Sequence, residues 1–155
     1  VSYTIEIRTL NPSFFIAYPS PPYTEIERDI KRLHTVIIFH YLNGLFICVP
    51  FRSHISHKNC YHFRFSSRSK KSRSGIDFSK TIIIKNPSFI GNVSTIDNDE
   101  FSELLKYKYE IINKINNYIE AYIMHFNGKK LLSKEEFDRK YKFTTLKYFH
   151  NLLNI

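Results

Sequence analysis

Apolar and polar residues alternate from the start of the chain. Val1, Tyr3, Ile5 and Ile7 fall on one side and Ser2, Thr4, Glu6 and Arg8 on the other, the period-two pattern of a strand with one buried face. Asn11-Pro12 then predicts an N-cap with proline at the first helical position, opening a short helix that Pro19, Pro21 and Pro22 stop. Residues 36–39 and 45–49 flank Asn43-Gly44, a strong hairpin signal. Residues 61–65 alternate again, and the β-branched run 81–84 suits a buried strand. Past Gly91 the period becomes helical. Asp97 with Glu100 marks a start, and Phe101, Leu104, Leu105, Ile111, Ile112, Ile115, Ile119, Tyr122, Ile123 and Phe126 predict a long helix near 98–127, closed by Asn127-Gly128. Ser133 with Glu136 repeats the start signal, and residues 143–153 offer a last amphipathic turn or two. Strands first and helices second predict an α+β fold, with helices packed on an antiparallel sheet in a single domain over residues 1–155.

Charge changes this picture by dividing the chain. Between Asp29 and Asp77 there is no Asp or Glu, yet nine Lys and Arg occur there, while the remainder carries fourteen basic and fourteen acidic residues. Five of the seven histidines (His34, His40, His54, His57 and His62) lie in the same window. A block of one sign interleaved with aromatics, as in Tyr61-His62-Phe63-Arg64-Phe65, points to a phosphate-binding surface and to nucleic acid as partner. Residues 64–74, rich in Ser, Arg and Lys, read as a mobile connection that holds RNA and stands apart from any chemistry.

Several function classes lack their signatures. There is no P-loop, dinucleotide fingerprint, G-x-S-x-G elbow or zinc-finger spacing. His54, His57, Cys60 and His62 match no usual zinc pattern, so neither metal nor cofactor is expected. Two cysteines without a C-x-x-C pair, and no secretory signal or spanning run, favour a reducing cytoplasm away from membranes. RNA can be cleaved without metal by a base for the 2′-hydroxyl, an acid for the leaving oxygen and cations for the phosphorane. Pro50-Phe51-Arg52-Ser53-His54-Ile55-Ser56-His57-Lys58 concentrates such groups directly after a predicted strand.

Four segments carry a family resemblance: residues 11–18, 49–57, Cys60-Tyr61-His62-Phe63, and Ser74-Gly75-Ile76-Asp77-Phe78-Ser79-Lys80. Over roughly residues 7–125 the chain resembles toxins of type III toxin–antitoxin systems, nearest the TenpIN type in the group that includes ToxN, AbiQ and CptN. The resemblance implies a strongly twisted antiparallel sheet or partial barrel, similar to the Kid and MazF toxins, with surrounding helices. It implies a metal-independent endoribonuclease that leaves a 2′,3′-cyclic phosphate on cellular or phage RNA. It also implies inhibition by a small structured RNA antitoxin, encoded in tandem repeats and processed by the toxin, within a closed protein–RNA assembly.

By the same resemblance, Ser53 matches a hydroxyl after the proline that ends a strand. Lys31 or, with a shifted gap, Arg32 matches a basic residue before the first hairpin strand, and Gly75, Asp77 and Phe78 match a Gly-x-[Asp/Asn]-Phe element. The lysine that follows the hydroxyl in the ToxN branch is absent, position 55 being Ile, so Arg52, His57 or Lys58 takes its role. The expected catalytic set is Ser53 as a positioning or relay hydroxyl, Lys31 or Arg52 for the phosphorane, and His57 as acid or base. The expected RNA-binding set is Arg32, Lys58, Arg64, Arg68, Lys70, Lys71, Arg73, Asp77 and Lys80. The alternative is a non-catalytic RNA-binding module that uses Tyr61 or Phe63 as stacking platforms.

Overall fold

The computed structural model describes residues 4–28 and 35–155, with the side chains of 35–38, 42, 67 and 68 outside that description. Lys31 and Arg32 therefore lie outside the described residues. In chain order the elements are β1 (Ile5–Leu10), α1 (Pro12–Ala17), β2 (Thr35–His40), β3 (Phe46–Arg52), β4 (Cys60–His62), α2 (Ser67–Ser72) and β5 (Gly75–Asp77). There follow β6 (Ile82–Ile84), β7 (Ile90–Val93), α3 (Asn98–Lys106), α4 (Lys108–Phe126), α5 (Lys134–Tyr141) and α6 (His150–Leu153). These seven strands form one open antiparallel sheet in the order β4-β5-β3-β2-β1-β7, with β6 also on β3.

β3 organises the sheet. One edge pairs with β2 through the hairpin, where Asn43 (φ 62°) and Gly44 (φ 73°) adopt the left-handed backbone that this dipeptide accommodates. Its other edge changes partner along its length. β6 pairs with Phe46 to Cys48, and β5 pairs with Phe51 and Arg52. Pro50, which has no N–H to give, sits where the pairing changes, and Arg52 emerges at the end held by β5. β4 completes this corner by pairing Tyr61 with Ile76 and His62 with Gly75. A Cβ at Gly75 would lie 2.0 Å from the Tyr61 carbonyl oxygen, so only glycine lets β5 approach β4 so closely. At the opposite edge, a bulge between Arg8 and Leu10 shifts β1 against β7 and returns Leu10 to the buried face already occupied by Ile7.

The start of α1 follows the expected pattern, Asn11 accepting the Ser13 amide at 2.9 Å. The long helix does not. It is broken at Tyr107 (φ −107°, ψ 22°) into α3 and α4, a break invisible to periodicity because both sides remain helical. Ile111, Ile112, Ile115 and Ile119 of α4 are fully buried in one core with Ile47, Val49 and Ile76 of the sheet, whereas Phe101, Leu105 and Phe126 are exposed.

Residues 64–74, expected as a mobile connection, contain the short helix α2. Ser66 caps the helix by accepting the Ser69 amide, Arg73 closes it in a left-handed conformation, and Ser66, Ser69 and Ser74 are buried. Small hydroxylated residues can pack as core while the cations between them stay outside. The last thirty residues complete the core: the Tyr141 hydroxyl donates to the Tyr118 carbonyl (2.7 Å) and the Tyr118 hydroxyl to the Lys140 carbonyl (3.0 Å).

Candidate functional site

The site forms at the corner where β3, β4 and β5 meet, around Asp77. This residue bounds the acid-free stretch of sequence, and its side chain is 0% exposed. It was expected among the RNA-binding residues, but burial prevents direct contact with RNA. Its two oxygens instead serve different partners. Oδ2 accepts from Arg52 Nη1 at 2.5 Å. Oδ1 accepts the Ser79 amide (3.0 Å) and the Ser79 hydroxyl (2.6 Å), and lies 3.2 Å from His57 Nε2. Burial alone would push the Asp77 carboxyl up, but hydrogen bonds from His57, Ser79 and Arg52, with the positive charge that His57 can carry, hold it below the ordinary carboxylate range.

Arg52 is thus anchored twice, because its Nε also contacts Glu27 Oε2 at 2.9 Å. A guanidinium carries five N–H donors, and these two bonds use two of them. His57 is held from both sides of its ring. The Asn59 amide donates to Nδ1 at 3.1 Å, which assigns the ring proton to Nε2, facing Asp77 and the Ser79 hydroxyl (3.4 Å). A substrate proton can reach Nδ1 only by displacing the Asn59 N–H. Asn59 in turn ties this turn to α5, its side-chain amide donating to the Arg139 and Lys140 carbonyls (3.4 and 3.2 Å). The C-terminal segment thereby braces the site.

Ser53 is half-buried immediately beyond β3, and Lys58 is exposed beside His57. The loop between them is fastened to the end of α2: the His54 amide donates to the Ser72 carbonyl (2.8 Å) and the Ile55 amide to the Arg73 carbonyl (3.3 Å). The basic segment is therefore joined by backbone bonds to the loop that carries the candidate residues. Both sides of this junction carry non-glycine residues in the left-handed region, His54 at φ 58° and Arg73 at φ 53°, a cost tolerated where the surroundings over-determine the backbone. His54→Gly should therefore raise stability by up to about 1 kcal/mol, read as a melting temperature higher by about 2–4 °C. A lower melting temperature would mean that the imidazole makes contacts outweighing the strain.

The other expected residues are dispersed. Lys70, Lys71 and Arg73 are exposed on and after α2, and the side chain of Arg68 lies outside the described residues. Lys80, expected to bind RNA, is instead engaged internally, its ammonium reaching Glu25 Oε2 at 2.9 Å and the Phe143 carbonyl at 3.2 Å. Arg64 packs against three aromatic rings and lies 3.8 Å from Glu110. Tyr61 and Phe63, expected as stacking platforms, are buried in the core. Cys60 donates to the His57 carbonyl, and burial with the nearby Asp77 charge pushes its thiol up to about 12, so no thiolate is offered near neutrality. Among the described residues no three His, Cys, Asp or Glu side chains are grouped to hold a metal ion, and no helix is long and apolar enough to cross a membrane.

Sequence reasoning missed Glu27 and the anchoring role of Asp77. The available signal was local: Asp77-x-Ser79 after a short strand can close an Asx turn, which marks a structural carboxylate. Nothing local linked it to Arg52 and His57. No family model matches the chain, and no curated protein or solved structure matches it.

Proposed function

We propose that this chain is an endoribonuclease toxin of the type III toxin–antitoxin kind, cleaving RNA by 2′-hydroxyl transesterification without metal. One observation carries the reading: Arg52, at the end of the strand that leads into Ser53, and His57, in the loop beyond, are held on the two oxygens of one buried carboxylate. In the reaction the 2′-oxygen attacks the adjacent phosphorus and the bond to the 5′-oxygen breaks. His57 exchanges protons through Nδ1 once substrate replaces the Asn59 amide, Ser53 positions or relays, and the remaining Arg52 donors stabilise the phosphorane. A small structured RNA antitoxin, cut by the toxin and held with it in a closed assembly in the cytoplasm, belongs to the same proposal. So does a Kid/MazF-like partial-barrel character for the twisted sheet.

The open, exposed cations Lys58, Lys70, Lys71 and Arg73 supply the electrostatic surface that an RNA ligand requires. Engagement of both His57 nitrogens within the protein favours a second reading, RNA binding without chemistry. One experiment separates them. Purified protein incubated with end-labelled RNA in EDTA should yield 2′,3′-cyclic phosphate and 5′-hydroxyl ends. Strict dependence on magnesium, or 5′-phosphate products, would overturn the mechanism, and intact RNA that nevertheless stays bound would leave the second reading.

A further inference from the structure

Tyr61 and Phe63 are buried, but the alternation stops after β4, and Phe65, which it would turn the same way, faces outward, 60% exposed. Its ring lies nearly parallel to that of Tyr107 (18°, centroids 5.9 Å apart), and the Arg64 guanidinium sits 4.9 Å from the Tyr107 centroid and 5.5 Å from that of Phe65. The backbone presenting this ring is fixed from below. Glu103, only 3% exposed, accepts the Arg64 amide (2.9 Å), the Phe65 amide (3.0 Å) and the Tyr61 hydroxyl (2.6 Å). Burying a carboxylate is unfavourable unless donors compensate it, and here those donors lock an exposed aromatic in place. Beside Phe65 a recess of about 280 Å³ is lined by Asp99, Ser102, Glu103 and Lys106.

We propose that Phe65 and this recess form a stacking site for one nucleobase of single-stranded RNA, an inference that rests on the RNA-directed function above. A base packs on the exposed part of the Phe65 ring, its edge meets the Ser102 hydroxyl or the Asp99 carboxylate, and Arg64 and Lys106 face the flanking phosphates. A rigid aromatic loses little conformational entropy on binding. The polar rim, with Asp99, Ser102 and Lys106 in the recess and Arg64 beside the ring, matches a base with its phosphate better than an apolar protein segment.

The test measures equilibrium binding of a short labelled single-stranded RNA, with its 2′-O-methyl counterpart as the form that cannot be cleaved. Phe65→Ala should weaken binding by about 5- to 150-fold, with the salt dependence unchanged because no phosphate contact is lost. Phe65→Tyr should bind like the parent, Phe65→Leu like the alanine variant, and an abasic strand should not distinguish them. Since Phe65 is exposed, each variant should keep the parental circular dichroism. Tight binding by Phe65→Ala, or parental binding by Phe65→Leu, would overturn base stacking while leaving the RNA-directed function standing. A parent that binds neither strand would overturn both.

Discussion

On the proposed mechanism, Asp77→Asn should slow RNA cleavage by about 10²–10³-fold, the loss typical when a preorganised electrostatic group is displaced. An asparagine at this position has one acceptor oxygen and one amide NH₂. The Ser79 amide and hydroxyl and the protonated His57 Nε2 all point at Oδ1, so the oxygen is retained there and the NH₂ faces the Arg52 guanidinium. Arg52 is thus released, keeping only Glu27. Loss of a buried charge-assisted bond costs about 1.5–3 kcal/mol, a fall in melting temperature of roughly 3–12 °C for a chain of this size. The effect also has a pH signature. Because the folded protein holds Asp77 below its ordinary value, the unfolded chain takes up the proton first as the solution is acidified. The stabilisation is therefore complete above the unfolded value of about 3.9 and is lost as pH falls through the lower folded value. Melting curves between neutral pH and the acid limb should show this component in the parent and not in Asp77→Asn. Parental cleavage by the variant would remove Asp77 and its partners from the mechanism.

Glu103→Ala should be strongly destabilising. It strands the Tyr61 hydroxyl and the Arg64 and Phe65 amides, each a donor that costs about 1–3 kcal/mol when left unsatisfied away from water. Because water can reach part of the vacated space, a total of about 2–5 kcal/mol is expected, or roughly 4–20 °C in melting temperature. Hydrogen exchange should accelerate first at Arg64 and Phe65, whose amides lose their acceptor. RNA affinity should fall along with Phe65→Ala, because the ring is no longer held outward. A melting temperature within a degree or two of the parent would show that solvent replaces Glu103 fully.

The two carboxylates illustrate what local pattern can and cannot show. Glu103 reads in sequence as one polar position of an amphipathic helix, which places it at a surface. Its burial depends on residues 61, 64 and 65, nearly forty positions away, bringing three donors to it. Asp77 ends β5 and opens a turn, a local role met through the Ser79 amide. Its second role, as the anchor shared by Arg52 and His57, exists only because β5 lies between β3 and β4. A stretch of sequence without Asp or Glu does not make a site without carboxylates, for the same reason: Glu27 and Asp77 lie outside that stretch but meet Arg52 in space.

Elements governed by neighbouring residues were legible from the chain itself. The Asn11-Pro12 start of α1, the left-handed Asn43-Gly44 turn, the Ser133–Glu136 cap and the alternating buried face of β1 depend on interactions spanning a few residues, where backbone sterics and short hydrogen bonds dominate. The basic division of the chain and the cluster after β3 were also legible, since composition needs no fold. Tertiary structure decided the rest: which edge of β3 meets β5, where the helix breaks at Tyr107, that the Ser-rich segment is a packed helix, and that Phe65 stays outside while Tyr61 and Phe63 turn inward. Each of these depends on non-local pairings whose loop-closure cost is offset only by contacts from distant parts of the chain, and no local pattern encodes that balance.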